Sequence, residues 1–99
     1  ESFTDLKYGV RAGLKLIENY YKKYHINTIY NLIHTFAPNT ENDTENYIKF
    51  VCRYTGYQPM QELDLLDKDI LFSIAKAMLI MESGYHIDNQ TLLIAYSLL

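Results

Sequence analysis

Apolar residues recur at three- and four-residue steps along almost the whole of this 99-residue chain, the spacing of helices with one buried face. Nowhere do apolar and polar residues alternate for long between turn residues, so no strand is expected. A 3.6-residue period puts positions i, i+3, i+4 and i+7 on one side, and each such side must be covered by another helix. The chain is thereby committed to an all-α fold. Leu6, Val10, Leu14, Ile17, Tyr20 or Tyr21, and Tyr24 predict a first helix over about 5–24, with Thr4 or Asp5 supplying the N-cap oxygen. Gly9 and Gly13 lie four apart inside it, and each weakens it by about 1 kcal/mol relative to alanine. Their spacing predicts close approach of another helix along that edge.

Residues 25–27 read as a break, after which Thr28 can cap a second helix with the buried stripe Ile29, Leu32, Ile33 and Phe36. That helix must end near Ala37, because a residue preceding proline is pushed out of helical geometry. The loop over 38–43 is dense in residues that bond their own backbone, and one of Thr40, Asn42 or Asp43 caps a third helix. Thr44, Tyr47, Ile48, Val51 and Cys52 share one face of it, and Gly56 stops it. After an irregular segment over 57–66, Asp64 or Asp67 starts a fourth helix with Leu71, Ile74, Ala75, Met78 and Met81 inward, closed by Ser83 and Gly84. Asp88 caps a last helix over 91–99, whose Leu92, Leu93, Tyr96 and Leu99 face the core. The expectation is a single helical domain over 1–99 with five helices.

Composition narrows what such a domain can do. At 48% hydrophobic residues the chain can fill one core. One cysteine excludes a disulfide framework and a cysteine-rich zinc module. No apolar run approaches the roughly 18 residues that span a bilayer, and the acidic, polar start is unlike a secretory signal. A net charge of −3 argues against general nucleic-acid binding, and Lys22 and Lys23 among Tyr20, Tyr21 and Tyr24 make too weak a basic patch to reverse that. His25, His34 and His86 show no ligand spacing with each other or with Cys52, so no metal site is expected. Cys52, on an apolar stripe, reads as a small core residue. There is no glycine-rich phosphate loop, and no cofactor is expected.

Glu82 is the most informative ionisable residue. It continues the stripe of Leu71, Ala75 and Met78, so its carboxylate hangs from an apolar face at a helix C-terminus. Apolar surroundings and the negative end of the helix dipole both disfavour the charged form, which is what a general acid working near neutral pH requires. A carboxylate at a frayed end that bends out to solvent is the plain alternative. Asn39, Thr40, Glu41, Asn42, Asp43 and Thr44, with Tyr47 one turn on, collect amides, hydroxyls and carboxylates at one helix start. Such a set suits a polyhydroxylated ligand; it equally suits a helix cap and a turn.

Several segments in register resemble a family of small phage and prophage virion proteins that carry the bare label "structural protein". They are Tyr8, Gly9, Val10, Arg11, Ala12 and Gly13 with Tyr20 to Tyr24; Phe36, Ala37 and Pro38 followed by Glu41, Asn42, Asp43, Thr44, Tyr47 and Ile48; Leu63, Asp64 and Leu65; and Met81, Glu82, Ser83 and Gly84. The resemblance covers about residues 3–86. Proteins of this kind look like relatives of lysozyme-like glycan hydrolases. The resemblance implies a lysozyme-like helical lobe that binds peptidoglycan and cleaves its glycan strand, with other virion proteins as further partners. Met81, Glu82, Ser83, Gly84 and Tyr85 are similar to the Glu-Ser/Thr-Gly-aromatic motif that carries the acid in bacterial transglycosylases and glucosaminidases. Glu82 would then be the acid and Glu41 or Asp43 the second carboxylate. Asn42, Asp43, Thr44, Tyr47, Phe36 and Tyr85 would line the sugar site. Two departures stand out: Phe36 replaces the tryptophan usual in the family, and no Asn-Pro-Gly-Asn segment precedes the first helix. The second points to a fragment, a processed chain, or a member that has lost the enzyme; as a fragment the chain would be the C-terminal part of a larger lysozyme-like unit, carried in a virion and acting at the cell wall. A non-catalytic helical module that docks on another polypeptide is the alternative, since tyrosine is enriched at interfaces.

Overall fold

In the computed structural model the backbone is described for residues 3–37 and 41–99, and the side chains for 9–37 and 43–99. Five helices follow one another: α1 (Phe3–Tyr24), α2 (Ile29–Phe36), α3 (Glu41–Thr55), α4 (Lys68–Ser83) and α5 (Asn89–Ser97). Among the described residues there is no strand, and no helix is long and apolar enough to cross a membrane. The all-α expectation holds.

Most helix ends lie where local chemistry sets them. Thr28 caps α2, its hydroxyl accepting from the Asn31 N–H at 3.2 Å. Asp67 caps α4 through the Asp69 and Ile70 amides, and Asp88 caps α5 through Thr91 at 2.7 Å. Asp64 is therefore not the α4 cap. Its carboxylate accepts from Leu66 N–H in a tight turn just before it. Gly56 (φ 85°) and Gly84 (φ 71°) end α3 and α4 in the left-handed region, where a side chain is costly and glycine is not. His25 does the same for α1 at φ 58°. Its N–H reaches Tyr21 O, the bond of an αL cap, and the Ile26 N–H reaches Tyr20 O.

Three boundaries differ from expectation. α1 begins at Phe3, so Thr4 and Asp5 lie within the helix rather than before it. α3 begins at Glu41, which puts Asn42 and Asp43 inside the helix; Thr40 lies outside the described residues. α5 starts at Asn89, directly after its cap.

α1 packs along α5 and touches α4, while α3 lies between α2 and α4. The core they enclose includes Leu14, Leu32, Ile33, Val51, Leu71, Ile74 and Leu92, all essentially inaccessible, and burying each is worth about 1.5–3 kcal/mol. The irregular segment between α3 and α4 is pinned to this body. Leu63 and Leu65 are buried, the Leu63 N–H donates to Asn27 O, and Pro59 O accepts from the Tyr30 N–H in the first turn of α2. Arg11 Nε donates to Leu98 O at 2.8 Å, tying α1 to the end of α5.

The stripes are narrower than the sequence implies. Met81, Leu93 and Leu99 are exposed, because they stand at the edge of a stripe or beyond a helix end. Cys52 is only half-buried, enough that burial raises its thiol pKa.

Candidate functional site

The edge of α1 that carries Gly9 and Gly13 is not in close contact with another helix. A Cβ built at either position meets nothing within 4 Å. The two glycines instead line an apolar cleft of about 190 Å³, together with Leu14 and Ile17 of α1, Phe36 at the end of α2, Met78 and Leu79 of α4, and Ile87 and Leu92. The missing side chains leave room there, between α1 and α4.

Glu82 lies on the wall of this cleft and is its only ionisable lining residue among the described ones. Its place follows from the end of α4. Gly84 turns the chain left-handed and returns its N–H to Ile80 O at 2.7 Å, while Ser83 donates to Leu79 O. Glu82 is thus held in the last helical turn, at the negative end of the dipole. The residue as a whole is exposed, so the carboxylate sits at the mouth of the cleft rather than enclosed within it.

Tyr47 reaches this carboxylate from α3. Its ring is buried at 6% exposure and its hydroxyl lies 3.4 Å from Met78 O. Burial raises the phenol pKa well above its ordinary value of 10.0, and the charge of Glu82 and a hydrogen bond to it raise it further. All three causes favour the neutral phenol. Tyr47 is accordingly a neutral phenol whose hydroxyl donates to Met78 O beside the Glu82 carboxylate, with little ring surface to offer a ligand.

The remaining candidates divide. Phe36 shares the cleft with Glu82. Thr44 is buried at the start of α3, its hydroxyl donating to Ala37 O at 3.4 Å, which joins α3 to the end of α2. Asp43 is exposed and does not line the cleft. Tyr85 is 48% exposed beyond Gly84, its N–H on the Ser83 hydroxyl, and it too stands off the cleft wall. The side chains of Glu41 and Asn42 lie outside the described residues. Among those described, no three His, Cys, Asp or Glu side chains stand close enough to hold a metal ion. Sequence reasoning missed the cleft-lining Ile87 and Leu79, and it misread the glycine pair. Its four-residue spacing was a true signal of an open edge, equally compatible with a neighbouring helix and with a cavity.

No family model matches this chain, and no solved structure matches it. Its sequence is 38% identical over 84 residues to Protein P5 of Pseudoalteromonas phage PM2, a match that takes in 85% of this chain and 51% of that protein. The chain therefore spans about half the length of the curated relative it matches, and over most of its own length it is similar to a phage protein.

Proposed function

We propose that this domain binds the glycan strand of peptidoglycan and cleaves it, with Glu82 as the general acid. The observation that carries the reading is the pairing of a cleft-lining Glu82 with the buried hydroxyl of Tyr47. A general acid must be held within reach of the bond it protonates. In this reading the buried phenol on α3 would orient the carboxylate on α4. In the reaction, Glu82 delivers its proton to the glycosidic oxygen as the sugar develops oxocarbenium character. The Tyr47 hydroxyl would then turn from Met78 O to donate to the carboxylate left behind. The apolar walls, Phe36 among them, suit the C–H face of a pyranose and the methyl of an acetamido group. Glu41 would supply the second carboxylate, which takes the anomeric carbon itself or directs a water to it as the glycosidic bond breaks, since Asp43 stands off the cleft; Asn42, Thr44 and Tyr85 would order the α3 start and the rim. Similarity to a phage protein supports a virion setting, in which the domain would act on the wall of a bacterial host. The remainder of a longer polypeptide would complete the lysozyme-like unit.

The test is turbidity clearing of purified murein by the wild type and by Glu82→Gln. Clearing by the wild type and not by the variant supports the acid; equal clearing by both removes Glu82 from the mechanism.

One observation favours a second reading. Glu82 alone is ionisable among the described residues of the cleft wall, whereas glycosidases commonly use two carboxylates. An apolar cleft with one carboxylate also suits the apolar side chain of a neighbouring virion polypeptide. A protein that ignores sedimenting murein and forms a stable oligomer would support this non-catalytic module.

A further inference from the structure

A second cleft, of about 370 Å³, opens on the N-terminal half of α4. Tyr54 of α3, Lys68, Ser73 and Lys76 of α4, and Asn89 and Leu93 of α5 line it, over a floor made by the buried ring of Phe72. Its size lies within the range of small-ligand sites, roughly 300–1,000 Å³. Three helices bring together side chains that are far apart in sequence.

Among the described residues the fold makes little use of its polar groups, although the Tyr54 ring packs on Phe50 and Lys76 exerts a weak charge attraction on Asp88. Lys68 and Lys76 have no carboxylate within 4 Å among the described residues, although Lys15 and Lys22 both pair with Glu18. The Ser73 hydroxyl makes no hydrogen bond there, whereas Thr35, Thr55, Ser83 and Ser97 all donate back to their own helix. The Tyr54 hydroxyl and the Asn89 amide are likewise unengaged by the described residues. The nearby Asp88 carboxylate is committed to the Thr91 N–H. Meanwhile Tyr54 and Leu93 stay 45% and 42% exposed at the rim.

We propose that this cleft is a binding site for an acidic amino sugar, a saccharide bearing both an acetamido group and a carboxylate. The exposed Tyr54 ring offers a flat apolar face to the sugar ring. The Asn89 amide matches an acetamido group, which it can both donate to and accept from. Ser73 and the Asp69 carboxylate, which also lines the cleft, serve hydroxyls. Lys68 and Lys76 stand eight residues apart on α4, about 12 Å along its axis, so the ligand's carboxylate can be met at either end. A bare anion would leave the aromatic rim and the amide without a role. The site is distinct from the Glu82 cleft, and the proposal stands whether or not Glu82 cleaves anything.

Amide NMR of the isotope-labelled full chain tests this with two probes: the disaccharide of N-acetylglucosamine and N-acetylmuramic acid, and chitobiose as its neutral counterpart. The acidic disaccharide should shift Ser73, Lys76, Asn89 and Leu93 saturably. Chitobiose should bind there about tenfold more weakly, since it lacks the charge-assisted bond to lysine. Tyr54→Ala should abolish the shifts, and Lys68→Gln combined with Lys76→Gln should erase the preference between probes. The proposal is overturned by an absence of saturable shifts, by shifts confined to the surroundings of Glu82, by equal binding of both probes, or by shifts that persist in these variants.

Discussion

The two clefts are cut into the same helix and are built in opposite ways. Along the C-terminal half of α4, α1 withholds side chains at Gly9 and Gly13, and the resulting space is apolar with one carboxylate. That carboxylate is already engaged by a buried phenol. Along the N-terminal half, the space is lined by long polar side chains that the fold leaves unengaged. The first arrangement sets one carboxylate beside a buried phenol at the edge of an apolar space; the second leaves polar groups facing solvent. The difference shows in adjacent residues, since Leu92 is fully buried against the first cleft and Leu93 is 42% exposed beside the second.

Glu82→Gln gives the sharpest contrast. If Glu82 is the proposed general acid, its loss should lower the rate of murein clearing by about 100- to 10,000-fold, while the proposed binding of an acidic disaccharide at the second cleft should be unchanged. Next come the neighbouring leucines. Leu92→Ala should cost about 2–5 kcal/mol in denaturant unfolding, and Leu93→Ala should stay within about 0.5 kcal/mol as a surface change. Similar losses at both would mean the second cleft is closed by packing in solution.

Tyr47→Phe tests whether the first cleft depends on its phenol. Removing the hydroxyl should cost about 1 kcal/mol, and it should also change the response to alkali. The folded-state phenol pKa is raised above 10.0, so its contribution is fully present below about pH 10 and is lost as pH rises toward the folded value. Unfolding at stepwise higher pH should therefore show a steeper alkaline loss for the wild type than for Tyr47→Phe. At Gly13 an added methyl meets only open space, so Gly13→Ala should stabilise α1 by about 1 kcal/mol. Gly13→Leu should fill the first cleft and reduce clearing without lowering the melting temperature. A drop in melting temperature would show that the edge is closed after all.

The smallest effect belongs to Asp88, beside the second cleft. Its capping bonds to Thr91 hold its pKa below the ordinary 3.8, with Lys76 adding a minor pull. The stability it gives is present above that value and is lost as pH falls through the folded pKa. Asp88→Asn keeps the capping oxygen and should flatten the acid limb of the unfolding profile. An unchanged limb would show that the cap is already weak in solution.

Much of this was readable from residue order. Thr28, Asp67, Asp88, Gly56 and Gly84 end helices through bonds to residues at most four positions away, so each signal is complete within its own neighbourhood. The choice of Glu82 was readable for the same reason, since a helix end and a stripe are both local. The company it keeps was not. Tyr47 lies 35 positions earlier, and only the packing of α3 on α4 turns its hydroxyl toward that carboxylate. The irregular segment before α4 gave no sign that Leu63 and Leu65 would be buried, because their contacts belong to the body it crosses. The glycine pair pointed to an exceptional edge without deciding whether a helix or a cavity lay beside it.

By itself, the sequence determined that the chain is helical, roughly where each helix starts and stops, and which carboxylate stands at the end of an apolar stripe. Periodicity, capping and left-handed turns act over one or two helical turns, a range that a linear reading can cover. The tertiary structure alone decided that α1 and α4 leave a cleft between them, that Tyr47 stands beside Glu82 at its mouth, and that residues of three helices share a second cleft. A cleft is space left over when whole helices pack, so its shape depends on every neighbour together and is written in no single stretch of chain.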